Sequence, residues 1–284
     1  MKAFLHTFIA SIVLSGLAAA EVRISDGVDE GMAAFVIETE TAIYYYQKEA
    51  GGFSSILDLD GNDWLGWNRS EAEAYPASAA SDFRGLPNMV FQSADGGAGH
   101  PGYYECESIQ LDGKSIQSVS KSGKWRWTWT FTAQDATLRV EAIDPDHPYW
   151  FLYEGPIAGR FAPDKQYWGT NQKGPIRTFP DYYKTGGLVD NWRWVYFGDN
   201  ELDRIFVLEH LQDDSHLDLF GYLGNTDAGL DSPDGMVVFG FGRALDAKAL
   251  LRETPNTFRI SFHEFKVTNA KDHDRLKEIL QSKD

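Results

Sequence analysis

The chain has 284 residues, 43% hydrophobic, 24% charged and 14% aromatic; these fractions suit a packed globular fold and exclude wholesale disorder or collagen-like structure. Lys and Arg number 26 against 42 Asp and Glu, a formal net charge of −16, and without a sustained basic run there is no counterion-releasing surface for nucleic acid. The 9 Trp, 13 Tyr, 18 Phe and 27 Gly favour strands joined by tight turns over a helical bundle.

Residues 1–20 read as a signal peptide. Lys2 supplies a positive start, 4–17 is almost wholly apolar, and Ala18-Ala19-Ala20 meets the small-residue rule for cleavage before Glu21. The apolar run is short for a membrane span and no cysteine stands directly after it. The expectation is a secreted or periplasmic protein without a membrane anchor, in which 21–284 forms one β-sandwich domain. Period-two runs predict strands over 34–39, 42–46 and 51–58, with a Gly/Asn hairpin turn in 58–67. Further strands are predicted over 115–120, 125–132, 136–143, 149–153, 192–197, 204–211, 235–242 and 257–264. Two segments carry helical signals: 246–253, entered at Asp246 as an N-cap, and 271–282. The single cysteine, Cys106, lies in the strand-like Tyr103-Tyr104-Glu105-Cys106-Glu107 and reads as a buried structural thiol. The fold class is therefore all-β: a two-sheet antiparallel sandwich with a short C-terminal helix.

The stretch from Tyr44 to Trp67, with Gly51-Gly52-Phe53 and Asp58-Leu59-Asp60-Gly61-Asn62-Asp63-Trp64, resembles the opening hairpin of galactose-mutarotase-like domains. There a Gly-rich entry leads to a buried Asp and a D-x-x-G turn. The resemblance implies the supersandwich fold shared by aldose epimerases, glycoside hydrolase accessory domains and polysaccharide lyases, and hence a carbohydrate partner. In mutarotases a His acid and a Glu base open the sugar ring. This chain has Phe262-His263-Glu264-Phe265 late in its sequence but lacks the family's His-containing sugar-binding motifs, so those roles are not carried over.

Four regions hold chemistry-bearing side chains. The Gly-rich stretch 96–105 delivers His100 and two tyrosines; His100 is a proton-transfer candidate because imidazole titrates near neutrality, the alternative being a solvated loop histidine. In 149–156, period two puts Trp150, Leu152 and Glu154 on one face and Tyr149, Phe151 and Tyr153 on the other. Glu154 and Tyr153 are catalytic candidates and Trp150 a substrate-binding one. Arg160 either clamps a substrate carboxylate or pairs structurally with Glu154. The aromatic, cationic segment 161–194, which includes Tyr167, Trp168, Tyr183 and Lys184, reads as a long loop. It offers Tyr167 and Trp168 as a stacking platform for a uronate-containing glycan, or forms a lid over the core.

The fourth region, 209–218, has two His and four acids but no metal-ligand spacing and reads as a solvated turn. His210 is retained as a substrate-binding candidate, as is Arg243 as a second anion clamp. Asp58-Asp60-Asn62 fails as a calcium loop, since its sixth and twelfth places hold Asp63 and Arg69. No metal and no cofactor are expected. The functional expectation is an exported carbohydrate-active protein, lyase-like or hydrolase-like. A non-catalytic glycan-binding module and a structural sandwich with no small ligand are the alternatives.

Overall fold

The computed structural model describes residues 22–69, 84–182, 186–224 and 235–282, and among these the period-two pattern becomes eighteen strands. Residues 1–20, read above as a signal peptide, and Tyr183 and Lys184 lie outside the described residues. In chain order the strands are β1 (Arg23–Asp29), β2 (Met32–Glu38), β3 (Ala42–Gln47), β4 (Gly52–Asp58), β5 (Cys106–Gln110) and β6 (Ser115–Ser120). There follow β7 (Arg126–Phe131), β8 (Asp135–Ala142), β9 (Phe151–Gly155), β10 (Gln166–Thr170), β11 (Leu188–Asp190) and β12 (Trp194–Asp199). The last six are β13 (Ile205–His210), β14 (Asp218–Leu223), β15 (Met236–Phe241), β16 (Arg243–Ala244), β17 (Lys248–Ala249) and β18 (Asn256–His263), before helix α1 (Ala270–Gln281).

One layer is an eight-stranded antiparallel sheet in the order β10-β12-β13-β18-β8-β7-β6-β5. The other is made of two four-stranded sheets, β1-β2-β3-β4 and β11-β14-β15-β9. Segment 85–89 joins them edge to edge: Phe53 N donates to Leu86 O on one side, while Leu152 N donates to Pro87 O and Glu154 N to Gly85 O on the other. The core lies between the layers. In β7, Trp127, Trp129 and Phe131 are wholly buried while Arg126 faces out, each inward ring contributing roughly 2–3 kcal/mol of apolar burial. Trp129 meets Phe53 of the opposite layer edge-on at 4.8 Å, and Phe151 of β9 stacks on Phe258 of β18 at 4.5 Å.

The Asp58 hairpin forms as the turn residues predict. Its buried carboxylate accepts from Asp60 N and Asn62 N, both at 2.9 Å, and from Trp64 Nε1 at 3.1 Å. Cys106 is buried and unbridged, and burial pushes its thiol up to about 12. Helix α1 is capped by Asn269, whose side chain accepts from the amides of Lys271 and Asp272. Its His273, Leu276 and Leu280 are buried; the two leucines pack against Tyr167, Trp194, Tyr196 and Val207 on the outer face of the large sheet.

Two expectations are corrected. Residues 246–253 form no α-helix: Asp246 and Ala247 sit at φ +58° and +54° in a tight 3-10 connection between β16 and β17. The ladder between these short strands, Arg243 with Ala249 and Ala244 with Lys248, overrides the local helical pattern. Nor is 161–194 one long loop, since it contributes β10 to the edge of the large sheet and β11 to the smaller one.

Candidate functional site

On the face of the β11-β14-β15-β9 sheet turned away from the core, a cavity of about 240 Å³ is lined from three directions. Strand β9 and the residue before it supply Trp150, Leu152 and Glu154; β15 supplies Val238; β14 supplies Leu223. The loop after segment 85–89 folds over them with Val90, Phe91, Gly97, His100 and Tyr103, and Arg243 and Ala247 close the remaining side. Local periodicity decides the rest. Trp150, Leu152 and Glu154 point to the cavity because Tyr149, Phe151 and Tyr153, on the opposite face, fill the core.

Asn88 organises the floor. Its Nδ2 donates to Glu154 Oε2 at 2.5 Å, and its backbone carbonyl accepts from Trp150 Nε1 at 2.5 Å. One residue thus orients both the carboxylate and the indole. Phe91 stacks against Trp150 with centroids 5.1 Å apart, and the Arg243 guanidinium carbon stands 5.1 Å from the same ring. Trp150 is only 3% exposed, so it serves as a buried floor; the aromatic surface that reaches solvent belongs to Phe91 and Tyr103, at 40% and 42%. His100 Nδ1 lies 2.8 Å from Pro101 O. A carbonyl can only accept, so Nδ1 carries the hydrogen, and in neutral imidazole the proton-accepting lone pair is then on Nε2. The Tyr103 ring sits edge-on to His100 at 5.0 Å. Gly97, at φ +101°, permits this: a Cβ there would lie 2.1 Å from the Tyr103 ring.

The sequence candidates divide. His100, Trp150, Glu154 and Arg243 come together on this cavity; the other five lie elsewhere. Tyr153 is wholly buried and its hydroxyl donates to Trp64 O at 2.6 Å, in core contact with Phe197 and Phe206. Its phenol is held protonated by burial and reaches no cavity. Tyr167 packs beneath α1 and accepts from Val267 N at 3.0 Å, while Trp168 stacks on Phe220 at 4.2 Å in the core. They form no platform, because β10 is buried along its whole length. His210 is a core histidine stacked on Phe258, with Nδ1 3.1 Å from Asp214 Oδ2 and Nε2 2.7 Å from Asn256 Oδ1. Arg160 is exposed beyond the 3-10 turn at Ile157–Gly159 and does not line the cavity. His263 and Glu264 are likewise remote: Glu264 joins Asp58 and Asp60 around Arg204.

Sequence reasoning missed Asn88, Phe91 and the role of Tyr103. Only Tyr103 carried a signal, its closeness to His100 in the Gly-rich stretch; Asn88 and Phe91 reach the cavity through long-range pairing of 85–89 with β9. No group of three or more metal-ligating side chains occurs among the described residues. No described helix is long and apolar enough to cross a membrane.

No family model and no curated protein matches the chain. Solved structures do. The crystal structure of HI1317 superposes with a TM-score of 0.50 at 10% identity, covering 90% of this chain and 99% of that one. A galactose mutarotase related enzyme from Lactobacillus acidophilus gives 0.47 at 12% identity, covering 82% and 100%. A galactose mutarotase-like protein from Lactobacillus casei gives 0.44 at 10%, covering 80% and 99%. Identities this low speak to fold alone; the chain is an all-β, two-layer antiparallel sandwich whose fold resembles that of HI1317.

Proposed function

We propose that the chain is an exported carbohydrate-active protein whose cavity binds a sugar unit and moves a proton on it. The observation that carries this reading is the meeting of His100, Glu154, Arg243 and the rings of Phe91, Tyr103 and Trp150 around one cavity. Apolar ring faces suit sugar C–H surfaces, and a few placed polar groups fix orientation. Arg243 supplies a cation for a uronate carboxylate. Among the described lining residues Glu154 is the only carboxylate. The lining supplies what an elimination needs, a proton-transfer group beside a cation. In an elimination His100 Nε2 or the Tyr103 phenol handles the proton, and Arg243 stabilises the charge that develops.

The test is a panel of neutral and uronate-containing oligosaccharides and polysaccharides, scored by absorbance of unsaturated ends and by reducing sugar. Unsaturated product from a uronate substrate, lost in His100→Ala, is the expected result. Retention in affinity gels with no product on any glycan would replace the enzyme with a binding module. No retention would refute the carbohydrate reading altogether.

A further inference from the structure

Strand β14 opens on Asp218, whose carboxylate is buried at 3% exposure between amides from two distant segments. Trp192 N donates to Oδ2 at 2.7 Å and Gly242 N to Oδ1 at 2.8 Å. Gly242 is the single residue between β15 and β16, at φ +64°, and a Cβ there would lie 2.1 Å from the Leu251 side chain. The chain turns at this point only with glycine. The next residue is Arg243, the cation beside Trp150 in the cavity. The carboxylate that anchors the turn is thus one residue from the guanidinium-bearing position.

We propose that Asp218 is a pH-linked positioning residue of the cavity, acting through the Gly242 amide on the placement of Arg243 over Trp150. As a carboxylate, Asp218 accepts from both amides. When protonated, one oxygen carries a hydrogen and accepts poorly, so one of the two anchors weakens and the turn is less firmly held. Burial outweighs the two amide donors and pushes the Asp218 carboxyl up to about 7, so this change falls near neutrality.

The charged and titratable groups around it are Asp190, its cross-strand neighbour on β11, His210 at the end of β13, Asp214 and His216 on the following turn, and Arg243 beyond Gly242. Asp214 raises the carboxyl further and His210 opposes it. Both have other partners: His210 lies 3.1 Å from Asp214, and His216 lies 2.9 Å from Glu253.

The consequence for ligand binding rests on the reading of the cavity given above; the switch itself is measured without any sugar. Protein carrying 5-fluorotryptophan is followed by fluorine NMR from pH 5 to 9, with the Trp150 resonance assigned from Trp150→Phe. A His100→Gln background removes the cavity histidine's own titration. The Trp150 resonance is expected to move through one transition with a midpoint near 7, and Asp218→Asn is expected to abolish it. No transition, or one that persists in Asp218→Asn, overturns the proposal. If Asp218→Asn does not fold, Arg243→Met in the same background serves instead. Asp218 still titrates there but the cation is gone, so the transition must shrink, and full amplitude overturns the proposal. Since no glycan is present, a failed glycan screen leaves this result standing, and a failed titration leaves the carbohydrate reading standing.

Discussion

Replacing Asp58 by Ala tests whether the early hairpin is held by its buried carboxylate. The Asp60 and Asn62 amides lie at a solvent-accessible turn, so water replaces the lost acceptor there at little cost. Trp64 and Arg204 cannot be rehydrated in the same way, being 0% and 7% exposed. An indole N–H left unpaired in the core costs about 1–3 kcal/mol. Arg204 Nη1 lies 3.8 Å from Asp58 Oδ1, but Nη2 keeps Asp60 at 2.9 Å and Glu264 at 3.5 Å, so its share is about 1–2 kcal/mol. Together Asp58→Ala should destabilise by about 2–5 kcal/mol, lowering Tm by roughly 10 °C in a chain of this size. Asp58→Asn keeps an acceptor for the turn amides but turns its own N–H₂ toward the Trp64 indole, and should cost about half as much. Urea melts of the three proteins, with thermal scans alongside, supply the numbers. If Asp58→Ala lies within about 1 kcal/mol of wild type, the carboxylate does not hold the hairpin and the reasoning is wrong.

Four further expectations concern the cavity, Asp218 and the N-terminus. Tyr103→Ala should weaken retention on glycan affinity gels at least several-fold with little loss of stability, whereas Tyr167→Phe should cost about 1–3 kcal/mol by orphaning Val267 N and leave retention unchanged; the opposite pattern would return the binding surface to β10. On any substrate found, His100→Ala should lower turnover about 10²–10⁴-fold while KM stays within a few-fold, and steady-state kinetics with a raised KM and unchanged kcat would point to binding alone. Because folding raises the Asp218 carboxyl from 3.8 to about 7, the native chain holds more protons than the unfolded chain between these pH values. Stability should therefore fall as pH rises through that window, by on the order of 4 kcal/mol; urea melts at pH 5 and 8 should show this slope flattened in Asp218→Asn, and an unchanged slope would assign it to another group. Finally, Edman sequencing of protein secreted by its native host should begin at or near Glu21, and a retained Met1 would refute export.

What could be read from the sequence was whatever depends on near neighbours. Alternation along 125–132 and 149–153 sorted the side chains into two faces, because side chains in any strand alternate with period two. It therefore separated Trp150 and Glu154 from Tyr153 before either face had a partner. The Asp58 turn and the C-terminal helix expected over 271–282 are equally local. Alternation does not say which face meets the core and which meets a ligand, and for Tyr153 that choice was decided by the packing of β9 against Phe197 and Phe206. Strand β10 gave no periodic signal because both its faces are covered, one by the core at Phe220 and the other by α1. At 246–253, ladder pairing of Arg243 with Ala249 overrode a helical start at Asp246. The cavity itself arises where segment 85–89 pairs with β9 some sixty residues away, bringing Asn88 onto Glu154. Such non-local pairing depends on register and layer packing, and only the tertiary structure sets those.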